Sequence, residues 1–456
     1  MAKQNRTMTS GSPWKHIILF SLPVLVGSLL QQLYNTVDTI IVGRYAGEAA
    51  LSAVGTTGNF TFLFLAIAIG FSGGNGVVVA QYFGAGDEKN VRSNASTGIL
   101  FLMVLGLISA IVGIAVSRPA YEHLVSVPES FLDLTLIYFR IYAVGLIFQF
   151  GYNIFSAILR AVGDSAATLY FLLISSILNI VLDLWFVAGL DMGVAGAAIA
   201  TDISQAASFI AAYFYMRIKY PIFRFGLNEY RWNGSSVSKT IKVGFPISLQ
   251  LIVVSFGLTF IQRAVNGFGQ AMTASFTVGQ RIEMYINLPF NALQTTLATY
   301  AGQNAGAGKI DRIKKGARQT IIISFFMTMI IAALVRYYAG NIVALFGLSD
   351  RAAEYCIAHL RTVAIINIVL AMYIPLFGLY QGTGHSAFPM IVACVALGMR
   401  VLVTYLLRYS PFLGHTIIWW NGIFGFSLGF LITWSFYISG KWQKGAILTG
   451  NGISKD

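Results

Sequence analysis

The sequence predicts an all-α polytopic membrane protein with twelve transmembrane helices in two six-helix bundles. Its 456 residues are 56% hydrophobic and only 10% charged, and the mean hydropathy is +0.71. Soluble domains carry roughly 25% charged residues, so this chain has too little polar surface to face water on all sides. The third observation is an internal repeat, which divides the chain into two similar halves.

Each crossing of the hydrocarbon core needs about 20 predominantly apolar residues. The third candidate is typical, because no charge occurs from Gly98 to Val116. A membrane β-barrel is a poor alternative, since its segments would be short and would alternate in polarity. We predict spans at 17–42, 51–80, 94–117, 131–157, 166–189, 193–216, 243–265, 271–300, 319–340, 354–379, 387–410 and 416–439.

The basic residues predict the orientation. With a cytoplasmic N-terminus, 20 of the 30 Lys and Arg, including every Lys, fall in cytoplasmic segments. This bias is the positive-inside signature, so we expect both termini in the cytoplasm. The net charge of +13 then belongs to the inner leaflet. No soluble stretch is long enough to fold as a nucleic-acid-binding domain, and residues 1–15 lack a signal-peptide pattern.

Three short motifs recur in the same order and with the same spacing. From the first motif to the second there are 58 residues in one half and 57 in the other, and from the second to the third there are 82 and 81. Such a register indicates duplication. The paired motifs are Pro23 with Pro246, Gln81–Gly86 with Gln303–Gly308, and Gly163–Ala166 with Gly384–Ala387.

The duplication predicts the domain organisation. Because each half holds an even number of spans, both halves enter the membrane from the same side. We therefore expect bundles at 1–216 and 243–456, joined by a cytoplasmic linker at 217–242. A pseudo-two-fold axis along the membrane normal would relate them and leave a cleft suited to alternating access.

Four acidic residues lie well inside predicted spans, where a carboxylate costs at least about 2.5 kcal/mol on insertion scales. They bind ions or protons, or they pair with an interior base such as Arg140. For Glu283, a structural pair with an arginine is the favoured interpretation, and Arg281, Arg361 and Arg400 are its candidate partners. The four are Asp38, Asp183, Asp202 and Glu283.

Three of these acids fall in the first half. Asn179 and Asp183 share one helix face at i and i+4, and Thr201 precedes Asp202 in the next span. A carboxylate in low dielectric is easily protonated, so it can load and release a proton. Asp38 and Asp183 could instead coordinate Na⁺ with the Asn and Thr oxygens. The matched spans of the second half lack these acids, which suggests that one bundle handles the cation.

Other chemistry finds little support. The five His lack metal-ligand spacing, the two Cys are too few for a metal cluster, and no Walker motif occurs. We therefore expect neither an enzyme nor a cofactor other than the coupling ion, and a membrane-embedded enzyme would need a reactive cluster that the sequence does not offer. Tyr34, Tyr138 and Asn153 are candidates for a cleft that binds substrate.

The chain resembles the multidrug and toxic compound extrusion (MATE) transporters. The resemblance rests on the twelve spans, on Pro23 followed by Tyr34 and Asp38, on the paired Gln-x-x-Gly-Ala-Gly turns, and on Leu159–Gly163 after span 4. It implies an inner-membrane antiporter that expels bulky, often cationic, organic compounds in exchange for H⁺ or Na⁺, with no obligate protein partner.

The resemblance also implies site residues. The cation site of the family branch with acids in its first half matches Asp38, Asn179, Asp183 and Thr201, and Pro23 matches a proline at which the helix bends in some members. This chain departs from the branch that carries acids in the first and fourth spans of the second half. A related flippase for a lipid-linked sugar precursor is the alternative, and Arg140, Arg361 and Arg400 would supply its basic cleft.

Overall fold

A computed structural model of the chain describes residues 7–444, apart from the side chains of Asn59, Leu124 and Leu227. Within 7–444 the regular structure is helical, with no β-strand, so the predicted all-α class is confirmed. Lys3, Arg6 and Lys455, which contributed to the predicted orientation, lie outside the described residues. The α-helices are α1 Pro13–Ile41, α2 Gly47–Ala85, α3 Glu88–Pro119, α4 Glu129–Ala161, α5 Ser165–Asp183, α6 Gly193–Lys219, α7 Gly234–Asn266, α8 Gln270–Gly306, α9 Ile310–Ala344, α10 Asp350–Ala371, α11 Ile374–Gly382, α12 Ala387–Leu407 and α13 Ile417–Ile438.

Every predicted span coincides with helix, and one of these helices is unusually polar. Eleven helical segments of the described chain are long and apolar enough to cross a membrane. The predicted span at 271–300 lies in α8, which is long enough but is not among the eleven. Much of α8 is buried inside the protein, so its polar side chains contact other helices and a low hydropathy is tolerated.

The predicted span at 354–379 is interrupted in the structure. Its counterpart in the first half, α4, is continuous over 33 residues, whereas the second half has α10 and then the short α11. Pro375 lies in the first turn of α11, where its missing N–H leaves no helical hydrogen bond unmade. Pro23, Pro246 and Pro289 lie inside continuous helices.

The chain forms two compact units whose bounds differ from the predicted bundles. The first unit is Met1–Thr7 with Leu22–Ser248, and the second is Met8–Ser21 with Leu249–Asp456. The boundary therefore falls inside α1 and inside α7, close to Pro23 and Pro246, and the predicted linker at 217–242 belongs to the first unit. The division at 216 and 243 remains a prediction about the repeat.

In the second unit, the segment before α1 is fixed by the repeated Gln-x-x-Gly-Ala-Gly region. The Met8 N–H donates to Gln303 Oε1 at 2.7 Å, and Lys309 Nζ donates to the Thr9 carbonyl at 3.0 Å. Arg312 donates to the carbonyls of Met8 and Gly11 at 3.0 and 2.9 Å. An irregular segment with no helical partners thus has several of its backbone groups satisfied by side chains.

In the first unit, the linker before α7 is fixed by α2 and α3. Arg92 forms a bidentate pair with Glu229 at 2.6 and 2.7 Å, and its guanidinium holds the pKa of Glu229 below the ordinary value. Asn75 Nδ2 donates to Thr240 Oγ1 at 3.1 Å. At the α2–α7 crossing, a Cβ on Gly74 would lie 2.5 Å from the backbone nitrogen of Gly244, so the approach requires glycine.

The repeated glycines have a common physical basis. Gly86 and Gly308 follow α2 and α8 with φ of +74° and +70°, and Gly163 and Gly384 have φ of +92° and +89°. These are left-handed backbone conformations, which glycine adopts without steric cost and which commonly end helices. The duplicated motifs therefore encode the same helix endings in both halves.

Helix α4 is the centre of the first unit, since α2, α3, α5 and α6 all pack against it. At its end, the turn that leads into α5 is fixed by Asp164, which is buried. Its carboxylate caps α5 at Ala167 N and accepts hydrogen bonds from Lys219, Tyr220 and Tyr215 at 2.8, 2.8 and 2.9 Å. Burial raises the pKa of Asp164, but the hydrogen bonds and the Lys219 charge outweigh it, so the net pKa lies below its ordinary value.

We predict that Asp164→Ala lowers the free energy of unfolding by roughly 2 kcal/mol, because the helix cap is lost and buried donors become unpaired. Since the folded-state pKa is depressed, this stabilisation is present above the unfolded value near 3.8 and is lost only as the pH falls through the folded value. Thermal unfolding of the purified protein from pH 7 downward measures the effect. Asp311→Ala is the control, because Asp311 is exposed and forms only a 3.9 Å pair. Equal unfolding midpoints for the two variants at pH 7 would contradict the prediction.

Candidate functional site

The first unit brings two acidic side chains together in its interior. Asp38 is on α1, and Asp183 is the last residue of α5. The side chain of Asp183 is fully buried. The two carboxyl groups are electrostatic neighbours. Asp38 Oδ1 and both carboxylate oxygens of Asp183 are buried and have no hydrogen-bond partner among the residues that the structure describes.

The two polar residues predicted beside these acids lie next to each other. Asn179 is one turn before Asp183 on α5, and its Nδ2 donates to Thr201 Oγ1 on α6 over 3.5 Å. Its Oδ1 is buried without a partner in the described part of the chain. Amide and carboxylate oxygens thus occur together on α1 and α5, with the Thr201 hydroxyl beside the amide, which is a donor set suited to a proton or a hard cation.

No basic side chain neutralises this pair. Within residues 7–444, Asp38, Asp183 and Asp202 form no ion pair with a Lys, Arg or His. Arg140, the base considered for such a pair, donates to Ser117 Oγ at 3.2 Å instead. Within the described chain, the buried Asp183 and the half-buried Asp38 therefore lack a counter-charge, which is costly unless a proton or a cation is bound.

Both acid-bearing helices change their winding next to the acids. The α-helix that carries Asp38 becomes a π-helical turn at Val42–Ala46, and the one that ends at Asp183 becomes a π-helical turn at Leu184–Gly189. The two π-helical turns contact each other. Such turns are rare and frequently occur at functional sites, and hydropathy patterns gave no sign of them.

Tyrosine rings surround the acidic pair. Tyr34 and Tyr138, both predicted to line a substrate cleft, lie near enough to Asp38 and Asp183 to interact electrostatically. The ring of Tyr142, which the sequence did not single out, stacks on Tyr138 with a centroid separation of 6.5 Å. Aromatic faces and carboxyl groups together form the kind of surface that attracts organic cations.

Asp202 lies beside the site but has its own surroundings. Its carboxylate packs against Gly145 on α4, where a Cβ would lie 1.8 Å from Asp202 Oδ1. Tyr142 is its electrostatic neighbour and donates to Gln149 Oε1 at 3.1 Å. Spacing along α4 does not predict this contact, because Asp202 is on α6 and the contact depends on how the two helices pack.

The other two predicted residues lie elsewhere on α4 and α1. Asn153 donates to the Gln149 carbonyl on its own helix at 2.8 Å. It lies fifteen residues beyond Tyr138 on α4, which is about 22 Å along a helix axis. Pro23 lies in the interior of α1, next to the point where the compact unit changes. Its role as a hinge remains a prediction.

The second unit contains a polar cluster of a different kind. Glu283 on α8 pairs with His359 Nε2 on α10, and His359 is buried. The prediction that an arginine is the direct partner of Glu283 is therefore wrong, because the carboxylate of Glu283 pairs with the imidazole of His359. Arg400 interacts with Glu283 electrostatically, donates to Asn421 Oδ1 at 2.8 Å and lies 4.9 Å from the Phe426 ring centroid.

No group of three or more His, Cys, Asp or Glu side chains that could hold a metal ion occurs in the described part of the chain. An Na⁺ site at the acidic pair would therefore depend on the amide of Asn179 and the hydroxyl of Thr201 for additional oxygens.

Comparison with known families agrees with this arrangement. The MatE family model matches the chain twice, at residues 23–185 and 246–406. The two matches start at Pro23 and Pro246, which are the prolines of the internal repeat. The chain belongs to the MatE family. It is a membrane transporter and not an enzyme.

The relatives of this MatE chain extend over its whole length. It is 28% identical to the probable multidrug resistance protein YpnP of Bacillus subtilis, covering 97% of this chain and 98% of that protein. It is 25% identical to the probable multidrug resistance protein NorM of Thermotoga maritima over 97% and 96%. A solved outward-facing structure of a multidrug resistance MATE family transporter of the MOP superfamily matches with a TM-score of 0.91 and 23% identity, covering 97% of this chain and 100% of that one.

We predict that Gly145→Ala lowers the free energy of unfolding by about 1–3 kcal/mol, because the added methyl group overlaps the Asp202 carboxylate. Thermal unfolding of the purified MatE protein measures it. Gly73→Ala on α2 is the matched control, since its Cβ would meet nothing within 4 Å and alanine favours helix. Adding Asp202→Ala to Gly145→Ala should recover most of the loss. A Gly145→Ala protein as stable as the Gly73→Ala protein would contradict this close contact.

We predict that Glu283→Ala lowers the free energy of unfolding by roughly 3 kcal/mol, because it leaves His359 and Arg400 buried without their acidic partner. Transport by the protein that does fold should still respond to an ion gradient, since this acid acts structurally. The control is Glu354→Ala on α10, where the side chain is exposed. Thermal unfolding and a vesicle transport assay test the two parts. Loss of the gradient response in a stable Glu283→Ala protein would contradict the structural role.

Proposed function

We propose that this MatE chain is a cation-coupled antiporter that exports amphipathic, often cationic, organic compounds by alternating access. The observation that carries the proposal is the buried Asp38–Asp183 pair, which has no basic partner in the described chain. The coupling ion is H⁺ or Na⁺, bound by this pair together with Asn179 and Thr201. In this proposal the duplicated halves at 1–216 and 243–456 provide the moving parts, with a hinge near Pro23.

The energetics support a site that is emptied and refilled. Two like charges 4 Å apart repel by about 4 kcal/mol at an effective dielectric constant of 20, and burial adds a desolvation cost for each. One bound proton or Na⁺ removes most of both penalties. The acidic pair with a bound cation and the pair without one are therefore stable in different conformations of the protein. The cation then has a different affinity for each conformation, which coupling requires.

The surroundings of the pair support a cationic organic substrate. Tyr34, Tyr138 and Tyr142 place aromatic faces beside negative charge, and cation–π attraction strengthens when water is excluded. A substrate cation and the coupling cation would then compete for the same carboxyl groups, so that loading one releases the other. The relatives YpnP and NorM are described as probable multidrug resistance proteins, which agrees with a broad substrate range.

The alternative of a lipid-linked sugar flippase is less well supported. It needs a basic cleft, but Arg400 is engaged by Asn421 and Phe426 and Arg140 donates to Ser117. Of the three candidate arginines, this leaves Arg361, which is exposed on α10. The distribution of Lys and Arg supports an inner-membrane location with both termini in the cytoplasm. The proposal includes no other cofactor and no obligate protein partner.

We predict that Asp38→Asn and Asp183→Asn each reduce gradient-driven transport at least about tenfold, because an amide at either position cannot take up and release the coupling proton or balance Na⁺. The measurement uses purified protein in sealed proteoliposomes, with the amphipathic cation ethidium as probe and with a proton or a sodium gradient imposed separately. The gradient that drives wild-type transport identifies the coupling ion.

The matched control is Asp133→Asn, which removes the same charge from an exposed position on α4 of the same unit. It should transport ethidium like the wild type. Thermal unfolding verifies that each variant is folded. Full gradient-driven transport by both Asp38→Asn and Asp183→Asn would refute the proposed coupling site.

A further inference from the structure

The first unit has an open polar groove outside the acidic site. It lies between the first three turns of α3 and the linker that leads into α7, with a volume of about 750 Å³. It is therefore on the side of the protein that carries the basic loops. Its lining includes Lys89, Arg92, Ser93, Glu229, Arg231 and Trp232.

Two positive charges in this groove are uncompensated. Arg92 and Glu229 neutralise each other in their bidentate pair. Lys89 and Arg231 are exposed, and neither forms an ion pair within residues 7–444. Glu88 is exposed on the same helix but does not line the groove. The groove therefore presents two cationic side chains to an anion.

The walls of the groove are fixed by hydrogen bonds, and within residues 7–444 the Ser93 hydroxyl accepts one of them and keeps its own hydrogen for a ligand. Thr97 Oγ1 donates to the Arg231 carbonyl at 3.1 Å, and Asn233 Nδ2 donates to Ser93 Oγ at 3.4 Å. Together with the Arg92–Glu229 pair, these bonds fix the linker on α3. A hydroxyl group beside two cations forms a surface that suits phosphate oxygens.

An apolar path begins at the membrane end of the groove. Trp232 is 56% exposed and its ring meets Phe101 of α3 edge to face at 6.1 Å. Beyond Phe101, the exposed Val104, Ile108 and Ile111 follow at i+3, i+7 and i+10, so they continue on the same helix face. Trp residues concentrate at the boundary between headgroups and acyl chains. The polar groove and the apolar stripe are therefore continuous.

We propose that this groove binds the headgroup of an anionic phospholipid, with its phosphate between Lys89 and Arg231 and an acyl chain along the Phe101–Ile111 stripe. Basic pockets of this kind at the membrane face of transmembrane helices suit anionic headgroups. A free phosphate would use only the polar end, and a zwitterionic lipid would place its own cation against the two basic groups. The site is separate from the acidic pair and does not depend on the proposed antiport.

Phosphatidylglycerol binding to the purified full-length protein, measured by native mass spectrometry in detergent, tests the proposal. Each surface cation contributes about a fivefold factor to the binding of an anionic lipid, so Lys89→Gln with Arg231→Gln should weaken binding roughly 30-fold. Lys89→Arg with Arg231→Lys should keep it, because the charges remain. Trp232→Ala should weaken phosphatidylglycerol binding without affecting inorganic phosphate.

The matched control is Lys314→Gln with Lys315→Gln, which removes two exposed charges from the first turns of α9, the equivalent helix of the second half. This control should bind phosphatidylglycerol like the wild type. If the groove variant and the control variant lost the same amount of phosphatidylglycerol affinity, the proposal would be overturned, because lipid binding would then depend only on the net charge of the protein. Equal affinity for phosphatidylethanolamine, or full displacement by equimolar inorganic phosphate, would also overturn it. Lys89→Gln and Arg231→Gln made singly keep the test valid if the double variant is unstable.

Discussion

The central constraint on this MatE protein is a pair of acidic residues, Asp38 and Asp183, that forms no ion pair with a basic side chain within residues 7–444. Charge in such surroundings is costly, and in the proposed function a bound proton or cation offsets that cost. The surrounding elements are compatible with such binding. Helix α4 supplies tyrosine rings around the pair, α6 supplies the Thr201 hydroxyl, and the two π-helical turns next to the acids contact each other.

The duplicated halves share their backbone design but differ in their interior charge. The repeated glycines end matching helices in the same left-handed conformation. In the second half, Glu283 has His359 and Arg400 as neighbours, so its charge is balanced by the protein itself. The first half has acids with no such balance. Duplication therefore preserved the residues that shape the helices, while the buried charges diverged, which is consistent with one half providing the coupling site.

The polar segments outside the spans also have structural roles. The segment before α1 and the linker before α7 are both fixed by side chains near the start of a third helix, Arg312 in one unit and Arg92 in the other. Because backbone groups in an irregular segment need partners, these arginines stabilise the approach to each first helix. The same contacts form the wall of the groove for which we infer an anionic lipid, so one arrangement serves both purposes.

The sequence by itself determined the helical class, the helical spans, the duplication and the identity of the acids in the membrane interior. These features depend on hydropathy along one segment at a time, since lipid requires every backbone group to be satisfied within a helix. Only the tertiary structure decided that Asp183 is an electrostatic neighbour of Asp38 and that Glu283 meets His359 rather than an arginine. It also decided that the division between the two compact units falls inside α1 and inside α7. Periodicity shows which residues share a helix face. Which neighbouring helix that face contacts depends on how closely the helices pack. Small residues such as Gly145 and Gly74 set this packing distance.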